Sequence, residues 1–521
     1  MRKRKRILLV FTALLAFLAM FIAACTPEPA DPGGETPAGP TTPGGTDPGT
    51  DPGTDPDEPD DPYAGFDWTE TEGQTTVYYG PHTIFVRPLA FIDVRVDTNV
   101  GDKNYIILDI ETDAAMSGAL TYGDEGGYTE YTEGFYLNRG AQTFRMYFDQ
   151  RDYMNEDKFV KNLRLTNLEP LRGKVTVKRM SFGRREHYES EYWLENESLK
   201  IGMSMEQGGA LHWFSYNDDS LEQVQSGGKA RVGINYAAKY GVAAGKKGSE
   251  INLLNRADAG RLVQQSYYGS DGSRDDYAPG SFSGRPWAYN PVQGGDTNNN
   301  RTGSLIVSGN NISNGIVDWA VDAEAGTAYV KSQPLDWAKN RSRTLFYMEN
   351  WYTLEGDMLT VKNRGTDFSA YSHGPAHQEM PAFYGITAWD KWVTHLDGSI
   401  EEKPNLGFWG AGSGSYFRGL DENWCAWVNE DNFGLCNFTP GVEFIVTGRY
   451  GTFPVSAGNT ADLSGLGSTT YNAFLGEYVM ENFKPIEYTY FLGVGQYTAM
   501  RARFLAMDPH MNDELILHYA D

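Results

Sequence analysis

Three carboxylates have the setting for acid/base work: Asp258, Asp296 and Glu379. Breaking a glycosidic bond takes a carboxylic acid to protonate the leaving oxygen. It also takes a carboxylate to activate water or attack the anomeric carbon. Glu379, in the run YSHGPAHQEMPAFYG, is read as the general acid, with Asp258 or Asp296 as base or nucleophile. Asp258 sits close to both Arg256 and Arg261, so a structural salt bridge is its other reading. His373 and His377 are four apart, a spacing that would face one metal ion from a helix. Gly374 and Pro375 between them argue against a helix, so no metal is assigned.

Around these acids lie residues suited to holding a sugar. The stretch NLLNRADAGRLVQQSYYG offers Asn255, Arg261, Gln264, Gln265, Tyr267 and Tyr268. RPWAYNPVQGGDTNNN offers Trp287, Tyr289, Asn290 and Gln293, and the Glu379 segment adds His377, Gln378 and Tyr384. Planar amides and Arg suit bidentate hydrogen bonding to hydroxyls, while Trp and Tyr rings suit the apolar C–H faces of a pyranose. The alternative is that the polar side chains cap turns. That suits GGDTNNNRTG well and GRLVQQSYYG poorly. The same residue types also serve a lyase acting on uronic-acid chains. There Asn, Gln or Arg would neutralise the sugar carboxylate and a Tyr or His would remove a proton. Arg256, Arg261, Arg274, Arg285 and Arg301 form an Arg-rich interval that fits this reading. Against it, the chain carries a net charge of -25, which slows encounter with a polyanion.

The elements that must position these residues read as strands. Alternating runs such as YIILDIET, TFRMYFD, KVTVKRMSF and MLTVKN are separated by turn formers, and helical periodicity is almost absent. The expected fold is all-β: a jelly-roll-like sandwich over 63–185, then one large β super-sandwich over 190–521. The first is read as carbohydrate-binding-like and the second as the glycan-active domain. Residues 1–25 pair a basic run with an apolar run that is short for a membrane span and ends in IAAC. They are read as a lipoprotein signal that leaves Cys25 lipidated. Residues 26–62, rich in Pro, Gly and Asp, cannot bury enough surface to order themselves and are read as a disordered spacer. Cys425 and Cys436 either pair across a hairpin or stay as buried thiols.

The run ENWYTLEGDMLTVKNR, Glu349–Arg364, resembles the paired strands of galactose-mutarotase-like super-sandwich domains. Four further patterns, Asp258–Tyr268, Asn290–Asp296, Gln378–Tyr384 and Asn423–Val428, resemble secreted bacterial proteins of unassigned function that carry such a domain. The resemblance implies a carbohydrate-related protein without fixing its reaction. The expectation is an extracellular, lipid-anchored protein that cleaves glycosidic bonds of a polysaccharide as a glycoside hydrolase does. A polysaccharide lyase and a non-catalytic surface glycan-binding protein are the alternatives. Expected partners are a polysaccharide or oligosaccharide, and a membrane through the lipid anchor alone. Nucleic acid, cofactor and metal are not expected, and the protein is expected to be a monomer.

Overall fold

A computed structural model of the chain describes residues 75–508, apart from 89, 125–129, 149–157, 168–170, 218–247, 270–288, 296–304, 308–309, 313–314, 337–341, 370–371, 388, 390, 405–415, 430–431, 443 and 451–462. Cys25, the Pro/Gly/Asp segment, Trp287, Asp296, Arg274, Arg285 and Arg301 therefore lie outside the described residues.

Eight strands come first: β1 (Thr75–Val86), β2 (Phe91–Gly101), β3 (Tyr105–Thr112), β4 (Met116–Asp124), β5 (Glu130–Leu137), β6 (Gly140–Tyr147), β7 (Lys158–Asn167) and β8 (Gly173–Gly183). They form two four-stranded antiparallel sheets ordered β1-β8-β3-β6 and β2-β7-β4-β5, the double-sheet order of a jelly roll. Strand alternation builds its core. In Tyr105–Thr112, Ile106, Leu108 and Ile110 point inward with Leu163, Leu165, Val175 and Val177 from β7 and β8.

From Glu191 onward the described residues form a two-stranded, a three-stranded, an eight-stranded and a nine-stranded sheet. The nine-stranded sheet centres on Phe346–Glu355, Met358–Asp367 and Ile486–Gln496. The eight-stranded sheet includes Pro291–Val292, Gln264–Ser266, Ala376–Gly385, Thr469–Tyr478 and Phe444–Tyr450 as neighbours in that order. Both contribute to one core: Met348, Tyr352, Val361, Tyr490 and Leu492 from the larger sheet, and Met380, Phe383, Ile445 and Phe474 from the smaller. The helix Tyr497–Met507 covers the far face of the nine-stranded sheet, where Met500 and Phe504 pack with Trp424 and Phe438. Arg501 anchors it through both its Nε and Nη2 to buried Glu422.

No strand before Glu191 pairs with one after it among the described residues, yet the two sandwiches share apolar cores. Val317, Tyr347 and Phe368 enter the jelly-roll core, and Trp319 packs with Tyr105 and Tyr147. A buried ion pair sits in this junction. Asp318, with its side chain fully enclosed, accepts from Arg185 at 2.6 Å and from the Tyr105 hydroxyl at 3.1 Å.

The hairpin register decides the cysteine alternative. Cys425 lies opposite Asn437, and Cys436 opposite Ala426. The two thiols thus leave the sheet on opposite faces, Cys425 into the inter-sheet core and Cys436 toward the helix. Both are free and buried, and burial pushes both thiols up. A pair would need the register to slip by one residue.

Candidate active site

The segment Gln264–Tyr268 is divided by its own alternation. Gln264–Ser266 is a strand between Pro291–Val292 and Ala376–Gly385. Gln265 and Tyr267 turn toward the nine-stranded sheet, and Ser266 and Tyr268 turn the other way, toward Glu379.

The inward half is a closed hydrogen-bond network. Gln265 Nε2 donates to Glu349 O (2.9 Å) and to Asn350 Oδ1 (3.0 Å), and the Tyr267 hydroxyl donates to Gln265 Oε1 (2.8 Å). Gln293 Nε2 donates to the same Asn350 Oδ1 (2.8 Å) and to Gly208 O, while Gln293 Oε1 accepts from Gln265 N. Asn350 Nδ2 then donates to Asn363 Oδ1 (2.6 Å). Gln265, Tyr267, Gln293, Asn350 and Asn363 are all buried. The Tyr267 ring lies where a Cβ on Gly365 would stand, only 2.5 Å from its Cζ, so the network depends on that glycine. Such a network joins two sheets and specifies their register, because each group would be costly if left unpaired.

Other amides clamp backbone. Asn255 Nδ2 donates to Leu466 O and Ser468 O, and its Oδ1 accepts from Ala257 N. Gln264 bridges Ala259 O and Gly294 N. Gln378 accepts from Tyr268 N and donates to Tyr268 O and Tyr478 O. Asn290 donates to Tyr267 O, and Tyr289 is buried in a stack on His373 with centroids 5.1 Å apart. The residues expected to line a sugar site, Asn255, Gln264, Gln265, Tyr267, Tyr289, Asn290, Gln293 and Gln378, are all buried in the structure. The side-chain amides of Asn255, Gln264, Gln265, Gln293 and Gln378 hydrogen-bond neighbouring backbone or one another. Asp258 also takes its structural alternative, accepting from Gly260 N and pairing with Arg261 at 3.3 Å. Arg261 in turn reaches Gly467 O.

The outward half is different. In Ala376–Gly385, His377 and Glu379 point to the outer face of the eight-stranded sheet. The register shift between Glu379 and Ala382 then brings Tyr384 to that face while Met380 and Phe383 both enter the core. Glu379 faces Ser266 on one neighbouring strand and Leu475 on the other. The Tyr471 hydroxyl donates to Glu379 Oε1 at 2.5 Å, and Ser266 and Tyr268 also donate to the carboxylate. Around it, Tyr471, Ala473, Leu475 and Val446 make an apolar patch edged by Tyr384 and Phe444. Glu379 is half-buried and lies across from Leu475 of this patch. Burial raises its pKa above the ordinary 4.5, and the three hydroxyl hydrogen bonds offset only part of that rise.

The structure thus brings Glu379, Tyr268, His377 and Tyr384 to one half-buried face. Tyr471 and Ser266 join them without having been singled out from sequence. The signal for Tyr471 is its position across from Tyr384, which only the strand register supplies. His373 and His377 part company, the first stacked inside on Tyr289 and the second edge-on to Phe444 outside. Among the described residues no group of three His, Cys, Asp or Glu is placed to hold a metal ion.

No protein-family model matches the chain, and no curated protein matches it. Among solved structures, it is similar to a galactose mutarotase-like protein from Lactobacillus casei (8% identity, covering 58% of this chain and 99% of that one, TM-score 0.33). It is also similar to a galactose mutarotase related enzyme from Lactobacillus acidophilus (9%, 58% and 97%, TM-score 0.29). A third is an alpha-mannosidase from Enterococcus faecalis (10%, 84% and 44%, TM-score 0.30).

Proposed function

We propose that the protein is an extracellular, lipid-anchored carbohydrate-active protein that cleaves glycosidic bonds, with Glu379 as the general acid. The observation that carries this reading is the enclosed Glu379 carboxyl, raised in pKa by burial and hydrogen-bonded by three hydroxyls on a half-buried, tyrosine-edged face. A carboxyl held in its acid form can protonate a departing glycosidic oxygen, and Tyr268 and Tyr384 offer rings to the sugar. Anchoring through Cys25 rests on the IAAC leader. Among the described residues no helix is long and apolar enough to cross a membrane.

A polysaccharide lyase is the second reading, favoured by one observation. Among the described residues the groups that hydrogen-bond the Glu379 carboxyl are hydroxyls, and Asp258 accepts from Gly260 and pairs with Arg261. In that chemistry a protonated Glu379 would hydrogen-bond the uronate carboxylate, and Tyr268 or Tyr471 would be the base.

One assay separates them. The protein is incubated with neutral and uronic-acid polysaccharides while reducing ends and the ultraviolet absorbance of unsaturated products are followed together. Reducing ends alone, lost in Glu379→Gln, are the expected result. Both signals rising together would install the lyase. Full activity in Glu379→Gln would remove Glu379 from either mechanism.

A further inference from the structure

An acid alone does not hydrolyse a glycosidic bond. A carboxylate must also activate water or attack the anomeric carbon. Asp258 is paired with Arg261, and Asp296 lies outside the described residues, so the described partner of Glu379 has to come from elsewhere. The strands of the eight-stranded sheet carry three carboxylates, Asp336, Glu379 and Glu477. Asp336 is fully buried and accepts from Asn290 N. Glu477 is exposed near the end of Thr469–Tyr478, and no hydrogen bond or ion pair holds it among the described residues.

The register places Glu477 beside Glu379. His377 lies directly across from Glu477, and Glu379 directly across from Leu475, with no shift between the two pairs. Residues directly opposite share a face, as do alternate residues along a strand, so these four side chains are the corners of one patch. Two contacts fix which face it is. His377 meets the ring of Phe444, which lies across from Leu475 on the next strand. A Cβ on Gly476 would stand 2.9 Å from Met380 Sδ, a core atom, so the neighbouring Glu477 turns outward. Glu379 and Glu477 are thus diagonal neighbours, about 7–8 Å apart. Catalytic carboxyls about 6.5–9.5 Å apart leave room for a water molecule, whereas about 5–5.5 Å suits direct attack on the sugar. The settings also divide the roles. Burial raises Glu379, and Glu477 stands where water arrives.

The geometry points to Glu477 as the general base of an inverting hydrolysis, the residue that takes the proton of the attacking water. This rests on the reading of Glu379 as the acid. Glu379 gives its proton to the glycosidic oxygen as the bond from that oxygen to the anomeric carbon breaks. Water attacks the same carbon from the opposite face of the sugar, and its proton passes to the Glu477 carboxylate. The new hydroxyl has the inverted configuration. Glu379 is left ionised and Glu477 protonated, and proton exchange with solvent restores both.

The test follows cleavage of galactomannan, xylan, starch and laminarin by the full chain, with proton NMR of the first product formed. The anomer should be inverted. Glu477→Gln should lose at least about 100-fold in kcat/KM on the polysaccharide that the parent cleaves best. Its thermal midpoint should match the parent's, since the side chain is exposed. Glu477→Asp, which keeps a carboxylate on a shorter stem, should recover part of the loss. The acidic limb of the pH profile should vanish in Glu477→Gln, because a base must be ionised to act, while the alkaline limb stays. A retained anomer, an unsaturated product, or a loss in Glu477→Gln with both limbs in place would overturn the proposal. Glu477→Gln within about twofold of the parent, beside an inactive Glu379→Gln, would sink Glu477 as the base and leave Glu379 as the acid. Full activity in Glu379→Gln, or no cleavage of any of the four by the parent, would remove both.

Discussion

The two faces of the strand Gln264–Ser266 use similar residue types for opposite ends. On the inner face, Gln265, Gln293, Asn350 and Asn363 give their polar atoms to one another and to backbone, and nothing is left to offer a ligand. On the outer face, Ser266, Tyr268 and Tyr471 converge on one carboxyl beside an apolar patch, and burial raises its pKa. An amide has no charge to lose on burial, so a closed set of amides is a good internal joint. A carboxyl resists burial by taking up a proton, so enclosing it changes what it can do. Hydrogen-bonding residues gathered in one segment therefore do not by themselves mark a site. Which of them titrates, and which is already satisfied, does.

The largest effect should come from breaking the inner joint. Asn350→Ala removes the acceptor for Gln265 and Gln293 and the donor to Asn363, leaving buried amides unpaired. It should cost about 4 kcal/mol in urea or guanidinium unfolding. A cost below about 1 kcal/mol would mean that water or rearrangement satisfies those amides and that the joint is not closed.

Next is the pH dependence of the outer face. Glu379 has a folded pKa above its unfolded value of 4.5, so between the two values the folded state binds more protons than the unfolded one. Its contribution is therefore undiminished below 4.5 and becomes a growing penalty as pH rises through the folded pKa. Glu379→Gln lacks this penalty. Its stability relative to the parent should increase from pH 4.5 upward, read from denaturation midpoints over a pH series. A flat difference would mean the carboxyl is not held in its acid form.

Tyr471→Phe sharpens the same point more gently. The Tyr471 hydroxyl is the largest of the influences that lower Glu379. Without it, the alkaline limb of the pH–activity profile should move further up. A downward move would show that the hydroxyl favours the acid form instead. Smallest of all, Asp258→Asn keeps an oxygen for Gly260 N and loses the charge of a half-exposed pair with Arg261. It should change stability by about 0.5 kcal/mol and leave activity unaltered. A large loss of activity would restore Asp258 to the chemistry.

Much of the architecture was legible because alternation is local. YIILDIET and KVTVKRMSF announce strands, and those strands are β3 and β8 of the jelly roll. That Glu379 stands among hydrogen-bonding neighbours was also legible. The fate of the amides was not, because facing direction depends on register with strands far along the chain. Gln265 meets Asn350 and Gln293 across 85 and 28 residues of sequence. Tyr471 and Glu477 escaped for the same reason. Each is ordinary in sequence and becomes informative only when its strand neighbours are known.

The most direct test of the account is the titration of Glu379 itself. With carboxyl-labelled glutamate, the carbon resonance missing from Glu379→Gln identifies the residue in the parent, and its chemical shift is followed with pH. The account predicts a midpoint above 4.5 that rises again in Tyr471→Phe. A midpoint at or below 4.5 would show a solvated or charge-paired carboxylate and contradict the reading of Glu379 as the acid.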